Sequence, residues 1–379
     1  KLSTSRHPLF CCYAESPDGI RWRKPNLNLF EFAGSKQNNI VMRREFGSVN
    51  AMVFRDDNPA APASARYKAF SRRSFQGARG LRPLQSPDGI HWTQHSTRLL
   101  PLVPDSQPSA YWDPIAKKYS VYLRAWDPKR SIGRVVTDQV EQPWPFNRSV
   151  QQYQVWGKDK VATISRELPV VMRPDDQDPD NVHLYTSTVF RYPWAEKTTL
   201  SFPAAYYYFT GPKLRPRALD GNDGTFDVQL ATSRDGAQWT RLREPWVAPH
   251  RIEGLTLQLV SMGTGMIRRG NELHQYFVGW PHTHNRPVEW DRNLEDREAS
   301  KKRDLGGIYR ATSRLDGFIA LSAGNRKGVY TTRPLILDGD QIQLNIHTSG
   351  TGEATLALLD GRGTPLSGYT HKDCEVIHT

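Results

Sequence analysis

Three acidic residues at the ends of predicted strands could carry out acid–base chemistry. Asp56 follows the apolar segment 51–55, Asp105 precedes the segment 109–112, and Glu253 lies just before a later strand. A protonated carboxyl can donate a proton to a leaving oxygen, while an ionised one can act as a nucleophile or activate water. We therefore predict Asp56 and Asp105 as the base or nucleophile and the substrate-orienting carboxylate, and Glu253 as the acid.

The same acids have structural interpretations. Asp56 precedes Asp57, Asn58 and Pro59, a sequence in which an aspartate commonly starts a turn. We also expect the chain to begin inside its first structural unit.

Polar and aromatic residues near these acids could bind a ligand. Arg124 could hold a carboxylate or sulfate through two parallel hydrogen bonds, or could pair with a structural acid. His282 and His284 have a spacing that zinc sites use, but no third ligand can be named, so we predict no metal site. The candidate binding residues are Asp57, Gln107, Trp112, Arg124, His282 and His284.

Four aspartates crowd one segment, namely Asp175, Asp176, Asp178 and Asp180. Such a group suits a solvated loop, a structural calcium ion or catalysis equally well. We predict that no cofactor is required and keep the structural calcium as an alternative.

The composition narrows the range of partners. The formal net charge is +12, yet the basic residues are scattered, which disfavours nucleic acid and leaves an anionic ligand or a solvated basic surface. Three cysteines, two of them adjacent, predict no disulfide framework. The chain has no run of 18 apolar residues, so we predict no membrane span.

A short motif with the pattern S-x-D-G-x-x-W occurs at residues 16–22, 86–92 and 233–239. Asp-Gly favours a turn because glycine tolerates positive φ, and the Ser and Asp side chains can bond nearby amides. We interpret each copy as a hairpin whose second strand begins at the Trp, with the ring held between packed sheets. The alternative is that ordinary Asp-Gly turns recur by chance.

The spacing of the copies predicts five units. The interval from Asp88 to Asp235 is about twice that from Asp18 to Asp88, so a degenerate unit is expected near residues 135–144. A variant at 312–318 has one inserted residue and a Phe in place of the Trp. Short apolar segments with turn signals between them, such as 265–268 and 272–280 before the last variant, and little helical periodicity predict an all-β fold of propeller blades.

Beyond residue 332 the sequence changes to short segments of alternating apolar and polar residues, at 335–337, 342–346 and 354–359, with Gly-rich turns between them. We predict a five-bladed β-propeller over residues 1–332, with its first blade incomplete, followed by a small, partial β-sandwich over 333–379.

The sequence resembles the five-bladed propeller glycoside hydrolases, a group that includes families 32, 43, 62, 68 and 130 and related secreted bacterial proteins. The resemblance lies in the repeated turns, in the five units and in the segment 359–368, which reads Leu-Asp-Gly-Arg-Gly-Thr-Pro-Leu-Ser-Gly. The turn also resembles the sialidase Asp-box, but the residue between Asp and Gly is missing. The resemblance covers the whole chain in architecture, and none of its motifs transfers a role to a particular residue here.

This resemblance implies a glycosidase that acts on a poly- or oligosaccharide, which an excess of positive charge would suit if the glycan were anionic. It also implies a secreted or periplasmic bacterial protein. Two alternatives share the fold: a glycan-binding propeller without catalysis, and a polysaccharide lyase that uses His282 or His284 with a metal.

Overall fold

The structure, a computed structural model, describes residues 9–44, 50–75, 78–100, 104, 106–145, 153–156, 159–162, 169–209, 223–252, 255–284 and 306–379. Strands dominate these ranges, accompanied by a short 3-10 helix at Ala63–Ala65. The predicted all-β class is therefore confirmed. No helix in the described ranges has the length and apolar character that crossing a bilayer requires.

The strands of the first half are β1 (Cys11–Cys12), β2 (Ile40–Met42), β3 (Met52–Arg55), β4 (Tyr67–Phe75), β5 (Ala78–Ser86), β6 (Thr93–Gln94), β7 (Ser109–Asp113), β8 (Lys118–Trp126), β9 (Arg130–Thr137), β10 (Tyr153–Trp156), β11 (Asp159–Ala162) and β12 (Val170–Met172). Those of the second half are β13 (Val182–Leu184), β14 (Val189–Arg191), β15 (Thr199–Ser201), β16 (Ala204–Tyr208), β17 (Gly224–Ser233), β18 (Thr240–Val247), β19 (Arg251–Ile252), β20 (Leu255–Thr256), β21 (Leu259–Met262), β22 (Ile267–Arg269), β23 (Glu272–Trp280) and β24 (Gly307–Arg314).

Most of these strands form antiparallel sheets in chain order. The strands β3 to β6 make one four-stranded sheet, and β7, β8, β9 and β12 make a second. Strands β13 to β18 form the next group, and β21 to β24 form the one after it. A single parallel pair, Phe226 with Leu259, joins these two groups into one ten-stranded sheet. Because of this junction, the pairing alone does not fix the number of blades. The pairs β1–β2, β10–β11 and β19–β20 are separate.

The repeated motif forms the predicted turn in all three copies. In the second copy, the Ser86 hydroxyl accepts a hydrogen bond from the Gly89 amide at 2.8 Å. One oxygen of Asp88 accepts from the amides of Ile90 and His91, at 2.9 and 2.8 Å. The central glycine has a φ of +80°, and the other two copies match at +72° and +69°. The next strand begins one residue after the Trp, at Thr93.

Side-chain hydrogen bonds link the beginnings of four successive groups of strands, namely β3–β6, β7–β9 with β12, β13–β18 and β21–β24. These bonds run from Gln107 to the Ala51 carbonyl (2.7 Å), between the hydroxyls of Ser109 and Ser187 (2.8 Å), and from Thr188 to the Met262 carbonyl (3.3 Å). They connect the start of β3 to β7, to the segment between β13 and β14, and to β21. The beginnings of these four groups of strands are therefore next to one another, as the blades of a propeller require.

Large apolar side chains fill the space between the first two four-stranded sheets. Phe70 is fully buried, and Trp144 packs edge-on against it with ring centroids 4.9 Å apart. Trp144 follows the segment 135–138, which is the expected degenerate copy. Its indole N–H donates to the Val140 carbonyl at 2.9 Å, so the ring is anchored although the Asp-Gly turn is missing.

One strand was not expected from the sequence. Leu259–Met262 pairs antiparallel with residues 277–280 of strand β23, in the place where we expected residues 265–268. The segment Ile267–Arg269 instead forms a tight hairpin with residues 272–274.

The chain divides into two compact units. The first comprises Lys1–Met266 and Gln275–Ala311, and the second comprises Ile267–His274 and Thr312–Thr379. The division differs from the predicted boundary at 332, and the predicted domains 1–332 and 333–379 stay predictions.

In the second unit the predicted sandwich strands near 335–337, 342–346 and 354–359 are not formed as strands. Isolated bridges join Ala354 to Ile377 and Leu359 to Pro365. Apolar side chains such as Ile336, which is 93% exposed, have no facing sheet within this unit.

Candidate functional site

Four aromatic rings and one arginine come together beside the first strand of the third sheet. We call this group, Trp126, Arg130, Tyr185, Tyr206 and Tyr208, the aromatic–arginine cluster. The first two residues flank the turn between β8 and β9, Tyr185 follows β13, and the last two belong to β16. Side chains alternate along a strand, so Tyr206 and Tyr208 point to one face and Tyr207 to the other.

Arg130 lies at the centre of this cluster. Its guanidinium carbon is 4.6 Å from the ring centre of Trp126 and between 5.4 and 5.7 Å from those of Tyr185, Tyr206 and Tyr208. Aromatic ring faces attract cations at such distances. The side chain is 8% exposed. The rings therefore hold a positive charge close to, but not fully beneath, the protein surface.

Arg124 stands at the edge of the cluster, in β8. Its Nε donates to the backbone carbonyl of Tyr185 at 3.1 Å, Nη2 donates to the same oxygen, and its guanidinium carbon lies 4.3 Å from the centre of the Tyr185 ring. Arg124 is 4% exposed. These two hydrogen bonds and the stacking thus act on one residue, Tyr185.

The pKa of His183 reflects its burial and the positive charges around it. Burial is the largest cause that lowers its pKa to about 4, followed by the positive charges of Arg130, Lys129 and Arg124. Its Nδ1 is 3.2 Å from the backbone amide of Arg130, and its ring lies against that of Tyr208 with centroids 4.5 Å apart. His183 is therefore neutral at pH 7, and its Nδ1 accepts the amide hydrogen.

Polar groups continue from the rings to the segment that follows β23. The Nε2 of His284 is 3.0 Å from the phenol oxygen of Tyr185, and its backbone amide donates to the Gly224 carbonyl. Thr283 donates to a carboxylate oxygen of Asp223 at 3.1 Å. The imidazole also packs against Tyr206, with centroids 4.9 Å apart. A hydroxyl, an imidazole and a carboxylate thus lie along one side of the rings.

The predicted site residues are distributed over several places. Arg124 and His284 join the aromatic–arginine cluster, and His282, whose Nδ1 is 3.0 Å from the Thr283 carbonyl, lies next to it along the chain. Asp105 and Glu253 lie outside the described residues, so the expected convergence of three carboxylates stays a prediction.

Asp56 is fully buried, away from these rings. One oxygen accepts hydrogen bonds from the Tyr119 hydroxyl at 2.8 Å and lies 3.3 Å from Lys68 Nζ, and the other accepts from the Asn58 amide. Lys68 also contacts Glu141. Each oxygen of Asp56 therefore has protein partners, and the catalytic role of Asp56 stays a prediction.

The remaining predicted binding residues make local contacts. Asp57 is mostly exposed and pairs with Arg55 at 2.7 Å. Gln107 ties neighbouring first strands, as described above. Trp112 packs edge-on against Tyr119, with centroids 4.8 Å apart, and is part of the packing between sheets.

Two of the four crowded aspartates belong to ion pairs with strand β18. Asp178 contacts Arg241, with both side chains nearly fully buried, and Asp175 accepts a hydrogen bond from Arg243 at 2.5 Å. Within the described ranges, no group of three or more His, Cys, Asp or Glu side chains is arranged to hold a metal ion. A structural calcium ion stays a prediction without a described ligand set.

The sequence did not single out Trp126, Arg130, Tyr185 or His183. A weak signal existed, because Trp126 and Arg130 flank a tight turn and residues 206–208 are a run of tyrosines. Their meeting depends on contacts of the β8–β9 hairpin with β13 and β16, which lie far away along the chain.

No protein-family model and no curated protein sequence matches this chain. Among solved structures, the chain is similar to a glycosyl hydrolase from Bacteroides ovatus, with 14% identity, a TM-score of 0.41 and 71% of each chain covered. It is also similar to an endo-1,4-β-xylanase from Bacteroides thetaiotaomicron, with 12% identity, a TM-score of 0.33, and 77% of this chain and 75% of that chain covered. A family 32 β-fructofuranosidase from Bombyx mori has 9% identity and a TM-score of 0.32, with 73% and 49% covered. At TM-scores this low, none of these similarities assigns an activity.

Proposed function

We propose that the protein is a glycoside hydrolase that binds a poly- or oligosaccharide against the aromatic–arginine cluster. The observation that carries this proposal is the group of partly exposed rings, Trp126, Tyr185 and Tyr208, beside hydroxyl, imidazole and carboxylate groups. Apolar ring faces with a few directed polar groups are typical of small-ligand sites. Sugars suit such a surface because they offer C–H faces for stacking and hydroxyls for hydrogen bonds.

In this proposal Asp105 and Glu253 supply the chemistry. Glu253 gives its proton to the glycosidic oxygen as the bond to the anomeric carbon breaks, and water adds its oxygen to that carbon. Asp105 takes the proton from the water, or first adds to the carbon itself. The buried contacts of Asp56 support a structural role for that residue in place of the predicted catalytic one.

The proposed glycan carries an anionic group, since Arg124 and Arg130 lie beside the rings and the chain has a net charge of +12. We place the activity in a secreted or periplasmic bacterial protein, where polymeric glycans are met.

The test is a screen of neutral, uronic and sulfated oligosaccharides for binding and cleavage. Asp105→Asn and Glu253→Gln should each lower kcat by roughly 100-fold or more while the affinity for the substrate changes little. Asp113→Asn is the matched control, because that carboxylate caps a turn by accepting from the Ile115 and Ala116 amides. Binding without cleavage of any glycan would show a non-catalytic glycan-binding protein.

A polysaccharide lyase is the second candidate, favoured by the 3.0 Å contact between His284 Nε2 and the Tyr185 hydroxyl beside Arg124. One member of this pair would take the C5 proton of a uronate, the bond from C4 to the leaving oxygen would break, and a C4–C5 double bond would form. The leaving oxygen would receive a proton. New ultraviolet absorbance from the unsaturated product would establish this reaction, and a reducing end formed without that absorbance would establish hydrolysis.

A further inference from the structure

Resting on the proposed glycan-binding role of the aromatic–arginine cluster, we infer that the imidazole of His183 binds a hydroxyl oxygen of the glycan through its Nε2–H. This nitrogen acts only as a hydrogen-bond donor. His183 is therefore a binding residue for the sugar, and its ring neither takes up a proton in the reaction nor holds a metal ion.

A backbone contact fixes which nitrogen of His183 carries the hydrogen. The amide nitrogen of Arg130 donates a hydrogen bond to Nδ1, at 3.2 Å. Because a backbone amide only donates, Nδ1 presents its lone pair, and the single hydrogen of the neutral ring lies on Nε2. Burial is the largest cause that lowers the pKa of His183 to about 4, so the ring is neutral at pH 7. An Nε2 that carries this hydrogen has no lone pair for a proton or a metal ion.

The Nε2 atom of His183 is available to a ligand. The two nitrogens of an imidazole point in different directions, so Nε2 is turned away from the Arg130 amide. Within the part of the chain that the structure describes, Nε2 has no hydrogen-bond partner, and this atom keeps access to solvent. The residue as a whole is partly exposed. A ligand oxygen that replaces water beside Nε2 would therefore receive a hydrogen bond at little cost in desolvation.

Two rings of the aromatic–arginine cluster adjoin this imidazole. The ring centroid of Tyr208 is 4.5 Å away at an interplanar angle of 63°, and that of Trp126 is 6.3 Å away at 83°. Both residues are partly exposed. A sugar that stacks on either ring would carry its hydroxyls around the edge of the contact, where a donor beside the ring can reach them. The imidazole can thus add direction to stacking contacts that by themselves recognise only a flat apolar face.

Two substitutions separate the tasks of the two nitrogens. His183→Asn puts an oxygen in the place of Nδ1, so that the Arg130 amide keeps its acceptor while the outward N–H is lost. His183→Gln puts an amide N–H in the place of Nε2 and removes the acceptor. A purely structural role of the ring predicts that His183→Gln is the weaker binder, whereas sugar binding through Nε2–H predicts that His183→Asn is. Circular dichroism and thermal melting identify a variant that does not fold.

The affinity of each protein is measured for three hexasaccharides, from a xylan, a galactan and a galacturonan. For every hexasaccharide that the wild-type chain binds, we expect His183→Asn to lose about 3- to 10-fold in affinity, which corresponds to one neutral hydrogen bond. His183→Gln should lose less than about 2-fold. Equal losses, or a larger loss in His183→Gln, overturn the inference while the proposed hydrolase stands. If no hexasaccharide binds the wild-type chain, both are overturned.

A readout that needs no variant is nitrogen NMR of the His183 imidazole in the wild-type chain. At pH 7 the hydrogen should reside on Nε2, and a bound hexasaccharide should shift the Nε2–H resonance and slow the exchange of this hydrogen with water. A hydrogen on Nδ1 overturns the inference, as does an Nε2–H resonance that a bound hexasaccharide leaves unchanged. Binding through Nε2–H without cleavage of any glycan overturns the hydrolase alone.

Discussion

The phenol of Tyr276 donates a hydrogen bond to the carbonyl oxygen of Gly19 at 3.0 Å, across 257 positions of sequence. The Tyr276 ring also meets Trp22 edge-on, with centroids 5.4 Å apart. These two contacts hold the first copy of the repeated turn against strand β23. Tyr122 makes the same bond to Gly236 in the third copy, at 2.8 Å.

Tyr276→Phe should lower the free energy of unfolding by about 1 kcal/mol, because it removes one hydrogen bond and leaves the Gly19 carbonyl accessible to water. Hydrogen exchange of the amides in residues 15–23 should become faster. Tyr122→Phe is the control, since it removes an equivalent bond elsewhere and should leave that exchange unchanged. Equal exchange in the two variants would show that Tyr276 does not hold the first repeat.

The glycine in the third copy of the repeated turn is constrained by its neighbours as well as by its backbone. An added Cβ at Gly236, where φ is +69°, would lie 2.5 Å from the Tyr122 oxygen and 2.9 Å from the Tyr111 oxygen. Gly34 has a similar φ of +81° with nothing within 4 Å. Gly34→Ala should cost about 1 kcal/mol of stability from the backbone alone. Gly236→Ala should cost about 2 to 4 kcal/mol by denaturant unfolding, and equal costs would exclude the steric contribution.

Substitutions in the buried pair of Asp56 and Lys68 test whether Asp56 has a structural or a catalytic role. Asp56→Asn should lower the free energy of unfolding by about 2 kcal/mol, because the buried Lys68 ammonium loses one of its two carboxylate partners and keeps only Glu141. Adding Lys68→Met should recover part of that loss, since the buried charge is then removed. Glycan cleavage per folded molecule should be unchanged in the double variant. A large fall in kcat at preserved stability would restore the catalytic assignment of Asp56.

Asp227 predicts a pH dependence of stability. Burial is the main cause that raises the pKa of this 5% exposed carboxyl from 3.8 to about 6, while the Tyr207 hydroxyl and Arg241 act in the opposite direction. The folded state therefore keeps this proton at pH values where the unfolded state has lost it. Stability should fall by about 3 kcal/mol as the pH rises from about 4 to 6, and level off above that.

Asp227→Asn should abolish this fall and make the protein more stable than the wild type at pH 7. Tyr207→Phe removes a donor that favours the charged carboxylate, so the fall should extend to higher pH. Unfolding by urea at a series of pH values gives both results. A flat profile in the wild type would show that Asp227 titrates normally.

The sequence predicted the repeated turns well because their bonds close within a few residues. The Ser16 hydroxyl donates a hydrogen bond to Asp18 and accepts one from the Gly19 amide. Hydrogen bonds from the amides of Arg21 and Ile20 lower the pKa of Asp18 to about 2. Strand Glu272–Trp280 was also predicted with its observed bounds, since its apolar pattern is long and is flanked by turn residues.

Other features depend on distant partners and could not be derived in this way. Leu259–Met262 was missed as the first strand of its sheet, because a four-residue apolar segment becomes a strand only through pairing with residues 277–280. Arg130 looks unremarkable in sequence, since its surroundings come from Tyr185 and Tyr206, more than 50 positions away.

The repeated turn has a consequence for protein engineering. Its serine and aspartate oxygens accept the hydrogen bonds of amides inside the same seven residues, so its internal geometry needs little help from the host sheet. Such a turn is a portable connector. Residues 233–239 could be grafted between two antiparallel strands of another protein, provided that the host leaves the side of the glycine open and offers the tryptophan an apolar pocket.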